Sequence, residues 1–173
     1  MAEQLETRNS KLETHTIYLG FGANLGDREA ALRAARAALA PEVQIRRCSR
    51  LYQTPPWGEP EQPAFLNAVC EARTTLSPRE LLDHIKRIEH ALGRVASRRW
   101  GPRAIDIDIL FYDELQLPAA ELTIPHPYLH QRAFVLLPLA ELAPTLRHPL
   151  LGRTISELAA ATAAEGIERQ GPW

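Results

Sequence analysis

Cysteine is scarce in this chain of 173 residues: Cys48 and Cys70 are the only two, and neither stands in a CxxC pair or at a zinc-ligand spacing. A disulfide framework is therefore not expected. The two thiols, each inside a strand-like segment, read as free and buried, which suits a reducing compartment. Long apolar runs are missing too. No stretch is long enough to cross a bilayer, and residues 1–15 are polar and charged, without the apolar core of a signal peptide. An excess of one charge is also absent. With 20 basic and 21 acidic residues the net charge is −1, so no bulk attraction to nucleic acid or to an anionic membrane is expected. Finally, nothing reads GxxxxGK followed by Ser or Thr, so any phosphate chemistry must rely on side chains and metal ions rather than on a glycine cradle. By elimination the expected location is the cytoplasm.

What is present is enough for one domain, spanning 16–173 behind a loosely ordered tail at 1–15. Residues 16–22 (TIYLGFG) read as a buried strand. Asp27 caps a helix over 28–39, in which Leu32, Ala35 and Leu39 share one face. A second strand is expected over 43–52. Residues 54–63 (TPPWGEPEQP) hold four prolines and must be a loop. A third strand follows over 64–74. Ser77, Pro78 and Glu80 open a second helix whose stripe is Leu81, Ile85, Ile88 and Leu92, with Gly93 at its end. After a basic loop comes a fourth strand over 104–112, a turn at Asp113-Glu114, and a short hairpin strand at 115–117. Residues 123–128 form another proline-rich loop. A helix over 131–142, interrupted near Pro138, and a capped helix from Thr154 to about Ala164 complete the chain. The order strand, helix, strand, strand, helix, strand predicts an α+β, ferredoxin-like fold: a mostly antiparallel sheet with helices packed on it.

The segment RWGPRAIDIDIL (99–110) carries the clearest chemistry. In a strand Ile105, Ile107 and Ile109 turn into the core while Asp106 and Asp108 share the other face, their Cα atoms roughly 6.5–7 Å apart. Such a pair suits hard divalent cations, and Arg94, Arg98, Arg99 and Arg103 just before it suit phosphate oxygens. The alternative is a solvated strand face with surface ion pairs. Trp100 could stack on a flat ring or plug the loop onto the core. Phe65 and Asn67 share a face of the third strand, an aromatic wall beside an amide; they suit a flat heterocycle or, equally, a core Phe beside a satisfied Asn. His126 and His130 are four apart, but Pro125 and Pro127 exclude a helical zinc site.

These residues fall in blocks that resemble the 6-hydroxymethyl-7,8-dihydropterin pyrophosphokinases of folate biosynthesis. The blocks are GANLGD (22–27), YQTPPWG (52–58), FLNAV (65–69), RIEHALGR (87–94), RWGPRAIDIDIL, and IPHP (124–127) followed by Arg132 and Phe134. The resemblance implies that Asp106 and Asp108 hold two magnesium ions on the phosphates of ATP, and that Arg94 and Arg103 join them as catalytic residues. It implies a nucleotide site of Glu89, Arg94, Arg103, Ile109, Thr123, His126 and Arg132. It implies a pterin pocket of Thr54, Pro55, Trp57, Phe65, Asn67, Trp100 and Phe134, with the two phenylalanines sandwiching the ring. The implied partners are these small molecules, with no nucleic acid or membrane, and the implied state is a monomer. Departures from the pattern are Ala96, where members often carry a basic residue, Lys86, where a glutamine can stand, and Glu121, where some have arginine. A rival reading is a ferredoxin-like nucleic-acid or effector-binding module without catalysis. The missing aromatic RNA-binding signature and the balanced charge weigh against its nucleic-acid form.

Overall fold

The computed structural model describes residues 12–95, 99 and 101–173. In chain order the elements are β1 (His15–Ala23), α1 (Arg28–Ala38), β2 (Val43–Cys48), β3 (Tyr52–Thr54), β4 (Phe65–Thr74) and α2 (Pro78–Ala91). There follow β5 (Asp106–Tyr112), β6 (Leu117–Pro118), β7 (Thr123–Ile124), a 3-10 turn (Leu129–Gln131), α3 (Ala133–Leu142), α4 (Ile155–Ala160) and β8 (Glu168–Arg169). The main sheet runs β5-β1-β4-β3-β8, with β2 beside β4 in the same lane as β3. Every pairing is antiparallel. Counting β2 and β3 as one broken strand gives the ferredoxin-like arrangement.

The helices begin where their caps dictate. The Asp27 carboxylate accepts from Ala30 N at 3.0 Å, and Ser77 with Glu80 forms a reciprocal capping box at α2. α1 and α2 cover one face of the sheet: Leu32, Ala35, Leu81 and Ile85 pack on Ile17, Leu19, Phe21, Ile107 and Ile109. α3 and α4 cover part of the other, where Leu136, Leu139 and Leu158 meet Val69, Leu110 and Phe111.

Several local expectations are corrected. The second strand breaks in two because Ser49 turns its side chain onto β4, its Oγ accepting from Val69 N at 3.0 Å. Leu51 then exchanges backbone hydrogen bonds with Gly171 and Gln170 of the C-terminal segment. The short strand after Asp113 does not pair back on β5; β6 pairs with β7 instead. α3 runs unbroken through Pro138, because burial of Val135, Leu136 and Leu139 against the sheet outweighs the one backbone hydrogen bond a proline removes. α4 stops at Ala160, short of the expected end. Cys48 and Cys70 are not free. They face each other in register across β2 and β4, Cα atoms 4.1 Å apart, and form a disulfide. Their separation of 22 residues matches no sequence motif, so only the strand pairing reveals it.

The C-terminal segment was not anticipated at all. β8 adds to the sheet edge beside β3, and Trp173 reaches inward to 9% exposure. Its ring meets Phe21 edge-on at 5.5 Å, the Arg36 guanidinium lies 4.5 Å from its centroid, and its Nε1 donates to Ser49 O at 3.0 Å. A buried indole with a satisfied N–H stabilises strongly. Trp173→Ala is expected to cost about 3 kcal/mol, measured by urea unfolding. A cost below about 0.5 kcal/mol would mean that the segment adds nothing to the fold.

Candidate active site

The site lies at one end of the sheet, on the face that carries α3. Strand alternation puts Gly20 and Gly22 of β1, Phe65 and Asn67 of β4, and Asp106 and Asp108 of β5 on that face. Register aligns them in rows: Gly22 stands opposite Asn67 on one side and Asp106 on the other, and Gly20 opposite Val69 and Asp108. Because β1 contributes no side chains here, the sheet has a bare floor between an amide and a carboxylate pair. Asn67 and Asp106 are thus two strand spacings apart, roughly 10 Å.

Two clefts meet over this floor. The first is lined by Thr54, Pro55, Trp57, Phe65, Asn67 and Phe134, all expected in the pterin pocket. Trp100, the remaining member of that set, lies outside the described residues. Asn67 Nδ2 donates to Thr54 Oγ1 at 2.7 Å, which fixes the amide with its oxygen towards Gly22. The second cleft lies between α2, β5 and the 120–127 loop. It gathers Glu89, Arg94, Arg103, Ile109, Thr123 and His126 of the expected nucleotide set. Arg103, Asp106 and Asp108 line both clefts. Arg132 is placed in the first, where its guanidinium lies 4.6 Å from the Trp57 ring, 5.2 Å from Tyr128 and 5.5 Å from Phe134. Lys86 and Glu121, the departures noted in the sequence, line the second cleft. Ala96 lies outside the described residues.

Charge is dense where the clefts join. Arg94 Nη1 bridges Glu89 Oε1 at 2.6 Å and Asp106 Oδ1 at 2.8 Å, and Arg103 binds the other Asp106 oxygen. Glu89 is 4% exposed and accepts from Ile107 N at 2.8 Å, so it caps the outer edge of β5. Burial pushes its carboxyl up, against the hydrogen bond from Ile107. Asp108 Oδ2 lies 3.9 Å from His126 Nε2. Desolvation, and then the Asp106 charge, push the Asp108 carboxyl up to about 7. Burial and the Arg132 charge drive His126 down to about 4, so its imidazole is neutral near pH 7.

The donor set fits a hard divalent cation. Burial and the neighbouring Asp106 carboxylate raise Asp108 although Arg132 and Arg103 pull the other way, and a cation beside the two carboxylates would offset both causes. No third His, Cys, Asp or Glu joins a metal-holding group among the described residues. A magnesium ion would therefore take most of its ligands from phosphate and water, as that ion prefers. The sequence reading did not assign roles to Gly20, Gly22 or Tyr128. A glycine in a strand interior was the available signal for the first two, since it marks a close approach. A Cβ on Gly22 would stand 2.8 Å from Asn67 Oδ1.

In the folded protein Asp108 binds its proton up to about pH 7, against its ordinary 3.8. The cation-free fold therefore loses stability as pH rises between those values. Asp108→Asn removes the loss. Its side chain is 36% exposed, which calls for a discount. The variant is therefore expected to exceed the parent by about 1–2 kcal/mol at pH 8 and to equal it near pH 4. Urea unfolding in chelator checks this, and a variant no more stable at pH 8 would contradict it. Gly22→Ala pushes the Asn67 amide aside and is expected to weaken ligand binding in the first cleft at least about tenfold, by titration, with the second cleft unaffected. Equal weakening in both clefts would count against a local effect.

The family profile described as 7,8-dihydro-6-hydroxymethylpterin-pyrophosphokinase matches residues 18–144. A 2-amino-4-hydroxy-6-hydroxymethyldihydropteridine pyrophosphokinase of Methylorubrum extorquens is 47% identical over 154 residues, 88% of this chain and 96% of its own length. One from Pseudomonas aeruginosa is 44% identical, covering 88% of this chain and 95% of its own. Among solved structures, the A437G variant of Plasmodium falciparum HPPK-DHPS with pteroate superposes at a TM-score of 0.72 and 18% identity. That superposition covers 88% of this chain and 41% of the longer one, so it speaks to the fold. The chain belongs to the 7,8-dihydro-6-hydroxymethylpterin-pyrophosphokinase family.

Proposed function

We propose that this chain transfers the pyrophosphate of ATP to the hydroxymethyl group of 6-hydroxymethyl-7,8-dihydropterin, releasing AMP. The observation that carries the reading is the bare strip of β1 at Gly20 and Gly22. It joins an aromatic, amide-bearing cleft to a cleft of arginines and carboxylates through shared walls, Arg103, Asp106 and Asp108. The pterin lies between Phe65 and Phe134, its polar edge on Asn67 and its hydroxymethyl arm along the glycine floor towards Asp106. The span of roughly 10 Å between Asn67 and Asp106 suits a bicyclic ring with a one-carbon arm and a phosphorus beyond it.

The nucleotide lies along the outer edge of β5. Ile109 faces its N–H to that edge by the same alternation that presents Ile107 N–H to Glu89. Thr123 and His126 border the base and ribose, and the neutral imidazole of His126 can donate or accept. Arg94 and Arg103 grip the phosphates, and Arg132 approaches from the pterin side. Two magnesium ions held by Asp106 and Asp108 would neutralise phosphate charge and make the hydroxymethyl proton easier to lose. The hydroxymethyl group gives its proton to solvent, and its oxygen attacks the β-phosphorus as the bond from that phosphorus to the AMP oxygen breaks. Positioning and charge stabilisation supply most of the acceleration, and no side chain is required as general base. On this reading the chain acts as a monomer on small molecules, in the cytoplasm where ATP is at hand.

The test is AMP formation from ATP, magnesium and the pterin, with mixtures lacking pterin or metal run in parallel. AMP matching pyrophosphorylated pterin mole for mole, and only in the complete mixture, is the expected result. Asp106→Asn should lower kcat by about a thousandfold while the folded structure persists by circular dichroism. A folded protein that binds neither substrate and makes no AMP leaves the binding-module reading as the better account.

A further inference from the structure

We infer that Asn24 is a positioning residue that ties the proline-rich loop over the pterin cleft to the backbone of Arg103. The inference rests on the reaction proposed above for the meaning of the two clefts. Its structural basis is separate. Asn24 follows the end of β1 and is 3% exposed. Both backbone groups of Arg103 bond to it: Asn24 N donates to Arg103 O at 3.1 Å, and Arg103 N donates to Asn24 Oδ1 at 2.8 Å. The side-chain amide oxygen thus stands in for a strand carbonyl and carries the β1–β5 contact back beyond the start of β5. Asn24 Nδ2 points the other way, donating to Gln62 Oε1 at 3.0 Å and to Pro63 O at 3.1 Å. Gln62 in turn donates to Glu59 O at 2.9 Å, bracing the loop's bend.

One amide therefore holds a catalytic arginine with its acceptor and the pterin loop with its donor. The arrangement fixes which end of the amide is which, because Arg103 presents an N–H and the loop presents acceptors. No apolar residue reproduces this, and a carboxylate reproduces only half. Arg103 faces both clefts and grips Asp106, so an error in its backbone moves the phosphate site. An error in residues 62–63 moves Pro55 and Trp57, on the pterin side only. The two halves of the amide thus act on different kinetic constants.

The experiment compares Asn24→Asp, Asn24→Ala and Gln62→Ala with the parent in steady-state kinetics, with melting curves and amide hydrogen exchange alongside. Asn24→Asp keeps the acceptor for Arg103 N and loses the donor. It is expected to raise the pterin KM about tenfold and to leave kcat and the ATP KM within about twofold. Asn24→Ala loses both and is expected to add a fall in kcat of at least about tenfold, with faster exchange at the Arg103 amide. Gln62→Ala should raise the pterin KM alone, by about threefold. If Asn24→Ala fails to fold, the Asp variant and Gln62→Ala decide by the same split. Loss of kcat by Asn24→Asp equal to that of Asn24→Ala, or parent constants in both folded variants, overturns the inference. A parent that makes no AMP sinks the reaction reading instead. The inference then stands if Arg103 exchange quickens in Asn24→Ala but not in Asn24→Asp, and falls if the two variants exchange alike.

Discussion

The absence of side chains along one face of β1, at Gly20 and Gly22, is the constraint on which the site depends. A sheet face under a helix normally fills with apolar side chains, as this one does further along at Val69, Leu110 and Phe111 beneath α3 and α4. At the open end the central strand withdraws. Phe65 and Asn67 on one neighbour and Asp106 and Asp108 on the other then look at each other across backbone alone. A methyl group at Gly22 would occupy the space Asn67 uses. The cost is the packing and strand propensity that a larger residue would bring. The fold meets that cost elsewhere, with Phe21 facing the opposite cluster and Trp173 packed against it.

Charge is arranged on the same principle of leaving one thing undone. Asp106 is held by Arg94 and Arg103, and Glu89 by Arg94 and Ile107 N. Those groups are compensated within the protein. Asp108, one strand repeat away, feels burial and the Asp106 charge more than the opposing pull of Arg132 and Arg103. Asp108, which burial and the Asp106 charge make costly to ionise, lines both clefts alongside Asp106 and Arg103. In the proposed reaction a polyphosphate with its cations would bring positive charge to Asp108 together with anionic oxygens for the arginines. Site and ligand are thus each electrostatically incomplete in a way the other mends.

Much of this was legible in the sequence. The IDIDI alternation put two carboxylates on one face, and Ser77-Pro78 with Glu80 located α2, because period and caps are local properties. Membership of two separate clefts was legible only through the resemblance. Nothing in the spacing of Thr54, Asn67 and Phe134 says that they meet. The misses share a physical character. The Cys48–Cys70 bond, the break at Ser49 and the seating of Trp173 are all decided by partners far away in sequence: β4 for the first two, Phe21 and Arg36 for the last. Pro138 reads as a local breaker, and the buried surface on either side of it overrides that reading.

β5 is the strand that the two clefts share, through Asp106 and Asp108. Its inner edge pairs with β1, its outer edge is capped by Glu89 at Ile107 and by His126 N at Leu110 O, and its start is fixed through Arg103. A ligand at the outer edge and a ligand on the glycine floor therefore press on the two sides of one short strand. Because the cores beneath it are close-packed, that strand can shift only as a unit. In the proposed reaction, whatever aligns Asp106 and Asp108 for the phosphates would align them for the incoming hydroxymethyl group as well. Catalysis by positioning requires this sharing, since two sites built on separate supports would each relax independently and lose the line between attacking oxygen, phosphorus and leaving oxygen.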